Sequence, residues 1–118
     1  MWGMLFILSP AKALDYETPL PTDRATEPLF VEDAAQLIEV LRAKSPQEIA
    51  ELMDLSDALA ALNVARYQAW QPVFTPDNSR PAIFAFNGDV YEGLDVRSLT
   101  EADWDWLQAH VCILSGLY

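Results

Sequence analysis

The sequence has 118 residues and carries 7 Lys and Arg against 18 Asp and Glu, a formal net charge of −11. Its 52% hydrophobic content, with four Trp, excludes an acidic disordered tail, which lacks the apolar surface to offset chain entropy. One Cys excludes an internal disulfide scaffold, and one Cys with one His argues against a thiolate or imidazole metal cage, so neither a metal nor a cofactor is expected.

The cations are scattered. Residues 1–50 hold four against eight acids, and residues 51–118 hold three against ten. Neither half is a basic module, which argues against a self-sufficient nucleic-acid binder, because phosphate contacts need clustered Lys or Arg.

The apolar start, Met1 to Leu8, lacks the basic residues of a signal peptide and ends at Ser9-Pro10, too short to span a bilayer. A cytoplasmic protein with no membrane association is the expectation. Leu5–Leu8 reads as a strand buried on both faces. Residues 15–28, with Pro19, Pro21 and Pro28 among acids and Thr, read as an extended surface connection. Val31, Ala34, Leu37, Ile38 and Leu41 recur at helical spacing and predict a first helix over 29–43.

Ser45-Pro46-Gln47-Glu48 is a capping box with Pro at the first helical position, opening a short helix through Leu52. Ser56 is a second N-cap after a turn at 53–55, and a third helix follows over 57–70. Asn63, Arg66 and Trp70 fall on one face of it. Pro72, Pro76 and Pro81 bracket a loop. Ala82–Phe86 reads as a second buried strand, and Gly88 and Gly93 flank a turn or single helical turn. Thr100-Glu101-Ala102-Asp103 is another capping box, opening a helix with Trp104, Leu107 and Val111 inward. Val111–Gly116 completes the set as a third strand. Strands far apart in sequence and alternating with helices predict a mixed α/β (α+β) fold. The apolar end of the last strand suggests a partial sheet, so residues 1–118 are either a single domain or the N-terminal part of a larger one.

Two motifs bear on function. Ser9-Pro10-Ala11-Lys12 fits S-x-x-K, in which a Lys one helical turn from a Ser takes its proton. The chain lacks the companion motifs of such acyl enzymes, and a turn-capping Ser with a solvated Lys is the simpler reading. Residues 49–63 follow the helix-hairpin-helix pattern h-x-x-h-x-G-h-G-x-x-x-A, with Ile49, Leu52, Leu55 and Ala60 in register and Asp54 and Ser56 at the Gly positions. That motif offers backbone N–H groups and a helix N-terminus to a phosphate. An ordinary two-helix corner with an N-cap Ser is the alternative. Glu101, Asp103 and Asp105 suit an acidic first helical turn, and His110-x-Cys112 lacks companion ligands.

Five patches in order, residues 8–16 (LSPAKALDY), 52–60 (LMDLSDALA), 62–70 (LNVARYQAW), 85–94 (AFNGDVYEGL) and 114–118 (LSGLY), resemble the YaaA family of bacterial peroxide stress proteins, also called DUF328 or UPF0246. The resemblance implies a cytoplasmic protein that limits free iron under hydrogen peroxide. It also implies binding to double-stranded DNA through a helix-hairpin-helix and a positively charged cleft. Carried onto this chain, the hairpin is the 45–70 region and Ser9–Lys12 is the first family motif. The DNA-contacting candidates are then Ser9, Lys12, Leu55, Ser56, Asn63 and Arg66, with no catalytic or metal-binding residue. Family members run on past a Leu-Ser-Gly-Leu-Tyr segment, which implies an N-terminal portion that holds DNA weakly alone. A small-substrate enzyme using Ser9 and Lys12, or an acidic protein-interaction module, is the alternative. The oligomeric state is not legible.

Overall fold

A computed structural model describes residues 3–118; Met1 and Trp2, the start of the apolar run, lie outside the described residues. The elements are β1 (Phe6–Leu8), β2 (Ala13–Leu14), α1 (Val31–Arg42), α2 (Pro46–Met53), α3 (Asp57–Ala69), α4 (Ala82–Ala85), β3 (Phe86–Asn87), α5 (Asp89–Leu94), a 3₁₀ turn (Val96–Ser98), α6 (Glu101–His110) and β4 (Val111–Ile113). The mixed α/β expectation holds. Two units divide them. One takes residues up to Thr26 with Thr75–Gly116, and the other takes Glu27–Phe74 with Leu117 and Tyr118.

The second unit is helical. Helix α1 places Glu32 and Asp33 in its first turn and Arg42 in its last, matching the helix dipole at both ends. Its apolar stripe buries Ala34 and Ile38, while Ile49 of α2 and Ala60 of α3 are fully buried. Small Ala side chains let the helices approach, and Ile38 and Ile49 fill the space between. Past α3, Trp70 donates its indole N–H to the Tyr118 hydroxyl at 2.8 Å. Phe74 stands edge-on to both rings.

In the first unit β1 and β4 pair in parallel, Phe6 with Val111, Ile7 with Cys112 and Leu8 with Ile113. Helix α6 leads directly into β4. Its capping box forms as expected: Thr100 Oγ1 accepts from the Asp103 N–H and Asp103 accepts from the Thr100 N–H. Strands β2 and β3 form a separate antiparallel pair, Ala13 with Asn87 and Leu14 with Phe86. The core here is Phe84, Ala85, Tyr91 and Val96. Phe84 stands edge-on to Trp104, whose indole N–H donates to the Val96 carbonyl at 2.8 Å.

Three expectations are corrected. Residues 82–85 form a helical turn, and only Phe86–Asn87 are extended. An apolar run of this length satisfies either period, and Pro81 preceding it favours a helix start. Val111 opens β4 and does not belong to the α6 face. Phe6 and Ile7 are exposed although they form the expected strand: among the described residues β1 pairs only with β4, and its Ile7 side meets no covering layer. No helix among the described residues is long and apolar enough to cross a membrane.

Candidate functional site

Two places gather the residues singled out by sequence, one on each unit.

On the helical unit, α2 begins with a complete capping box. Ser45 Oγ accepts from the Glu48 N–H at 3.2 Å, and Glu48 Oε1 accepts from the Ser45 N–H at 3.1 Å. The latter bond, with the Ser45 side chain, holds the Glu48 carboxyl below its ordinary range. At the other end Asp54 takes a left-handed conformation, φ 53°, ψ 55°. The N–H of Leu55 then reaches back to the Ala50 carbonyl at 3.0 Å, closing α2 with a six-to-one bond. This is why the helix-hairpin-helix pattern wants Gly at position 54: only Gly adopts that conformation without cost. Asp achieves it here, since a short polar side chain is the next best tolerated.

Ser56 is extended and caps α3, its Oγ accepting from the Leu59 N–H at 3.3 Å. Leu55, half-buried, ties the turn to the helices. The remaining first-turn N–H groups of α3 have no partner within the helix, which is the general basis of anion binding at such an end. Asn63 is less available than the sequence suggests. Its Nδ2 donates to the Leu59 carbonyl, one turn back, at 2.8 Å. Arg66 is exposed, whereas Trp70 leaves the helix in extended conformation and does not continue the Asn63–Arg66 line.

Sequence reasoning passed over Arg42. Its Nε donates to the Tyr67 carbonyl at 2.8 Å and its Nη2 to the Trp70 carbonyl, while Nη1 meets Glu39 at 2.7 Å. One guanidinium therefore closes the C-terminus of α3, whose last carbonyls are otherwise unpaired. A lone Arg at the end of a helix carries no sequence signal for a partner 25 residues away.

On the first unit, Ser9–Lys12 forms no helix. Lys12 is therefore not carried one helical turn from Ser9, the placement on which the S-x-x-K pattern rests. The segment lies instead against residues 86–91. Tyr91, buried, donates its hydroxyl to the Ser9 carbonyl at 2.6 Å. A Cβ at Gly88 would stand 3.4 Å from that of Ala11, and β2 pairs with β3 just beyond. The Ser9 and Lys12 side chains stay exposed on this strip. Next to it Asp15 makes an Asx turn, accepting from the N–H groups of Glu17 and Thr18 at 3.0 Å each. The Thr18 side chain, then these N–H groups, with Arg80 nearby, hold the Asp15 carboxyl at about 2. Arg80 donates to the Tyr16 carbonyl at 3.1 Å, and Leu14, Asp15, Tyr16, Glu17 and Asn87 line an open groove.

Glu101, Asp103 and Asp105 do not form a cluster. Asp103 is spent in the cap and Asp105 pairs with Arg24. Among the described residues no three His, Cys, Asp or Glu side chains are arranged to hold a metal ion. His110 stacks on Trp106 with ring centroids 4.1 Å apart.

Within each unit the sequence patches meet one another. Residues 8–16 and 85–94 meet through β2–β3 and Tyr91–Ser9, and residues 52–60 and 62–70 form the α2–α3 corner. The last patch contributes the Leu114 N–H to the Leu8 carbonyl at 2.9 Å and Tyr118 to Trp70. Such mutual dependence defines a mixed α/β protein whose recognisable sequence is its set of junctions.

The same residues carry its kinship. The sequence model of the family described as peroxide stress protein YaaA matches residues 4–118, and the chain belongs to that family. Among its relatives is a UPF0246 protein of Polaromonas naphthalenivorans, 64% identical over 115 residues, or 98% of this chain and 45% of the relative. UPF0246 proteins of Leptothrix cholodnii and Paracidovorax citrulli are 65% and 66% identical, over 98% of this chain and 44% and 45% of theirs. The chain therefore spans less than half the length of these relatives.

Proposed function

We propose that this chain is the N-terminal part of a protein that protects cells against hydrogen peroxide by limiting free iron, and that it contributes a DNA-backbone contact. The observation that carries the DNA reading is the α2–α3 corner. A left-handed turn at Asp54 and an N-cap at Ser56 open α3 at an exposed turn, where the N–H groups of Asp57 and Ala58 have no partner within the helix, an arrangement suited to phosphate. Leu55 and Ser56 shape that turn. Arg66 supplies a cation two turns further along α3, with Asn63 beside it, and Lys12 with Ser9 supplies a second exposed cation in the first unit.

The local charge opposes strong binding by these residues alone. Glu48, Glu51, Asp54 and Asp57 surround the corner. An electrophoretic shift series across salt is the test. The 118-residue chain is expected to bind duplex DNA weakly, and the full-length Polaromonas relative to bind with a steep salt dependence and little sequence preference. Absent or salt-insensitive binding by the full-length protein removes the DNA reading. The iron reading is tested separately, by measuring chelatable iron in peroxide-stressed cells with and without the full-length gene.

A further inference from the structure

The β1–β4 pair is a parallel sheet of two strands, three residues each. Parallel sheets are covered on both faces, and two strands alone are too few for stability without a packed layer. Residues paired across strands point to the same side, and successive residues to opposite sides. Phe6, Leu8, Val111 and Ile113 therefore share one face. On this face Trp106 of α6 contacts Phe6, with ring centroids 6.2 Å apart, and Leu8, Val111 and Ile113 are half-buried.

Ile7 and Cys112 share the other face, and Leu5 and Leu114, two positions outward, flank them. All four are exposed, Leu5 at 64%, Ile7 at 60% and Leu114 at 51%, with Cys112 a free exposed thiol. Ser9, two positions beyond Ile7, stands on this face by the same alternation and bounds the apolar set at its Leu114 end. Contiguous apolar surface of this kind marks a contact. It has the composition of the second buried face of a parallel sheet.

We infer that this face docks the polypeptide that makes up the rest of the full-length relatives, more than half of their length, through an apolar surface in that remainder. The relatives match 98% of this chain yet extend well beyond the matched 115 residues, so the covering layer has a source within one polypeptide. The inference is independent of DNA and of iron.

Cys112 is the probe. This chain is compared with the same 118 residues joined to the remainder of the Polaromonas relative, and iodoacetamide alkylation of Cys112 is followed by peptide mass spectrometry. Alkylation at least tenfold slower in the joined protein supports the docking. Equal rates overturn it. Protection in the 118-residue chain itself that deepens with concentration, with a dimer in sedimentation, also overturns it and assigns the face to a second copy. Ile7→Glu gives a second measurement that does not depend on the thiol. It is expected to leave the melting temperature of the 118-residue chain unchanged and to lower that of the joined protein. A drop of the same size in both overturns the inference.

Discussion

The Tyr91 hydroxyl donates to the Ser9 carbonyl at 2.6 Å across 82 residues of sequence. Burial raises the phenol's pKa above its ordinary value of 10.0, so the donor proton is retained throughout the neutral range. Together with the close approach of Gly88 to Ala11, this bond fixes the backbone of Ser9–Lys12 while leaving both polar side chains in solvent.

Tyr91→Phe keeps the ring and its tilted contact with Phe86 but removes the donor. The loss is expected to be about 1 kcal/mol. Its local signature is faster tryptic cleavage after Lys12. Cleavage at the wild-type rate, with global stability unchanged, would mean that Tyr91 does not hold the segment.

The α2–α3 corner predicts opposite signs at neighbouring positions. Ser56→Ala removes the cap of α3 and is expected to cost about 1 kcal/mol. Asp54→Gly relieves a left-handed backbone and is expected to stabilise by about 1 kcal/mol. Denaturant midpoints of the two variants check both signs. On the proposed function, Asp54→Gly in a full-length protein also strengthens DNA binding, because a carboxylate leaves the phosphate site.

Arg42→Met removes a fork that closes two carbonyls of α3, at Tyr67 and Trp70. Charge-assisted bonds of this kind are worth roughly 1.5–3 kcal/mol each, so a loss on the order of 2 kcal/mol is expected after solvent takes one carbonyl back. Lys is a point donor without the fork and is not expected to restore stability. Thermal melts of Arg42→Met and Arg42→Lys decide the point. Full recovery with Lys would show that charge alone matters.

Asp15 sets an acid limit. Its carboxyl lies at about 2, against an ordinary 3.8. A depressed carboxylate contributes stability that is present above the ordinary value and is lost as pH falls through the lowered one. Wild type should therefore exceed Asp15→Asn by a constant margin above about pH 4, and the margin should vanish as pH falls toward 2. Acid unfolding followed by circular dichroism measures it, and a margin unchanged down to pH 2 would refute the linkage. The carboxyls of Glu48 and Asp103, lowered by their caps, act in the same direction.

The caps were legible in the sequence because they are local. Ser45 with Glu48, Ser56, and Thr100 with Asp103 each meet their partners within one turn, and the structure forms all three. The helical period placed α1, α2 and α3 within a residue or two of their observed ends. The strands were less legible. Residues 82–86 carried no period that separates a helical turn from a strand, and β2 is two residues long and exists only because residues 86–87 lie beside it.

The sequence by itself determined the helices, their caps, the acidic balance and the family, since each is written in neighbouring residues or in ordered patches. Only the tertiary structure decided that Ser9–Lys12 is an extended strip held by Tyr91 and that Arg42 closes α3. Only it showed that Ile7 and Cys112, on one face of β1–β4, are exposed among the described residues. Those facts depend on residues 25 to more than 100 positions apart, where no propensity or spacing connects the partners and only packing and hydrogen-bond geometry choose them.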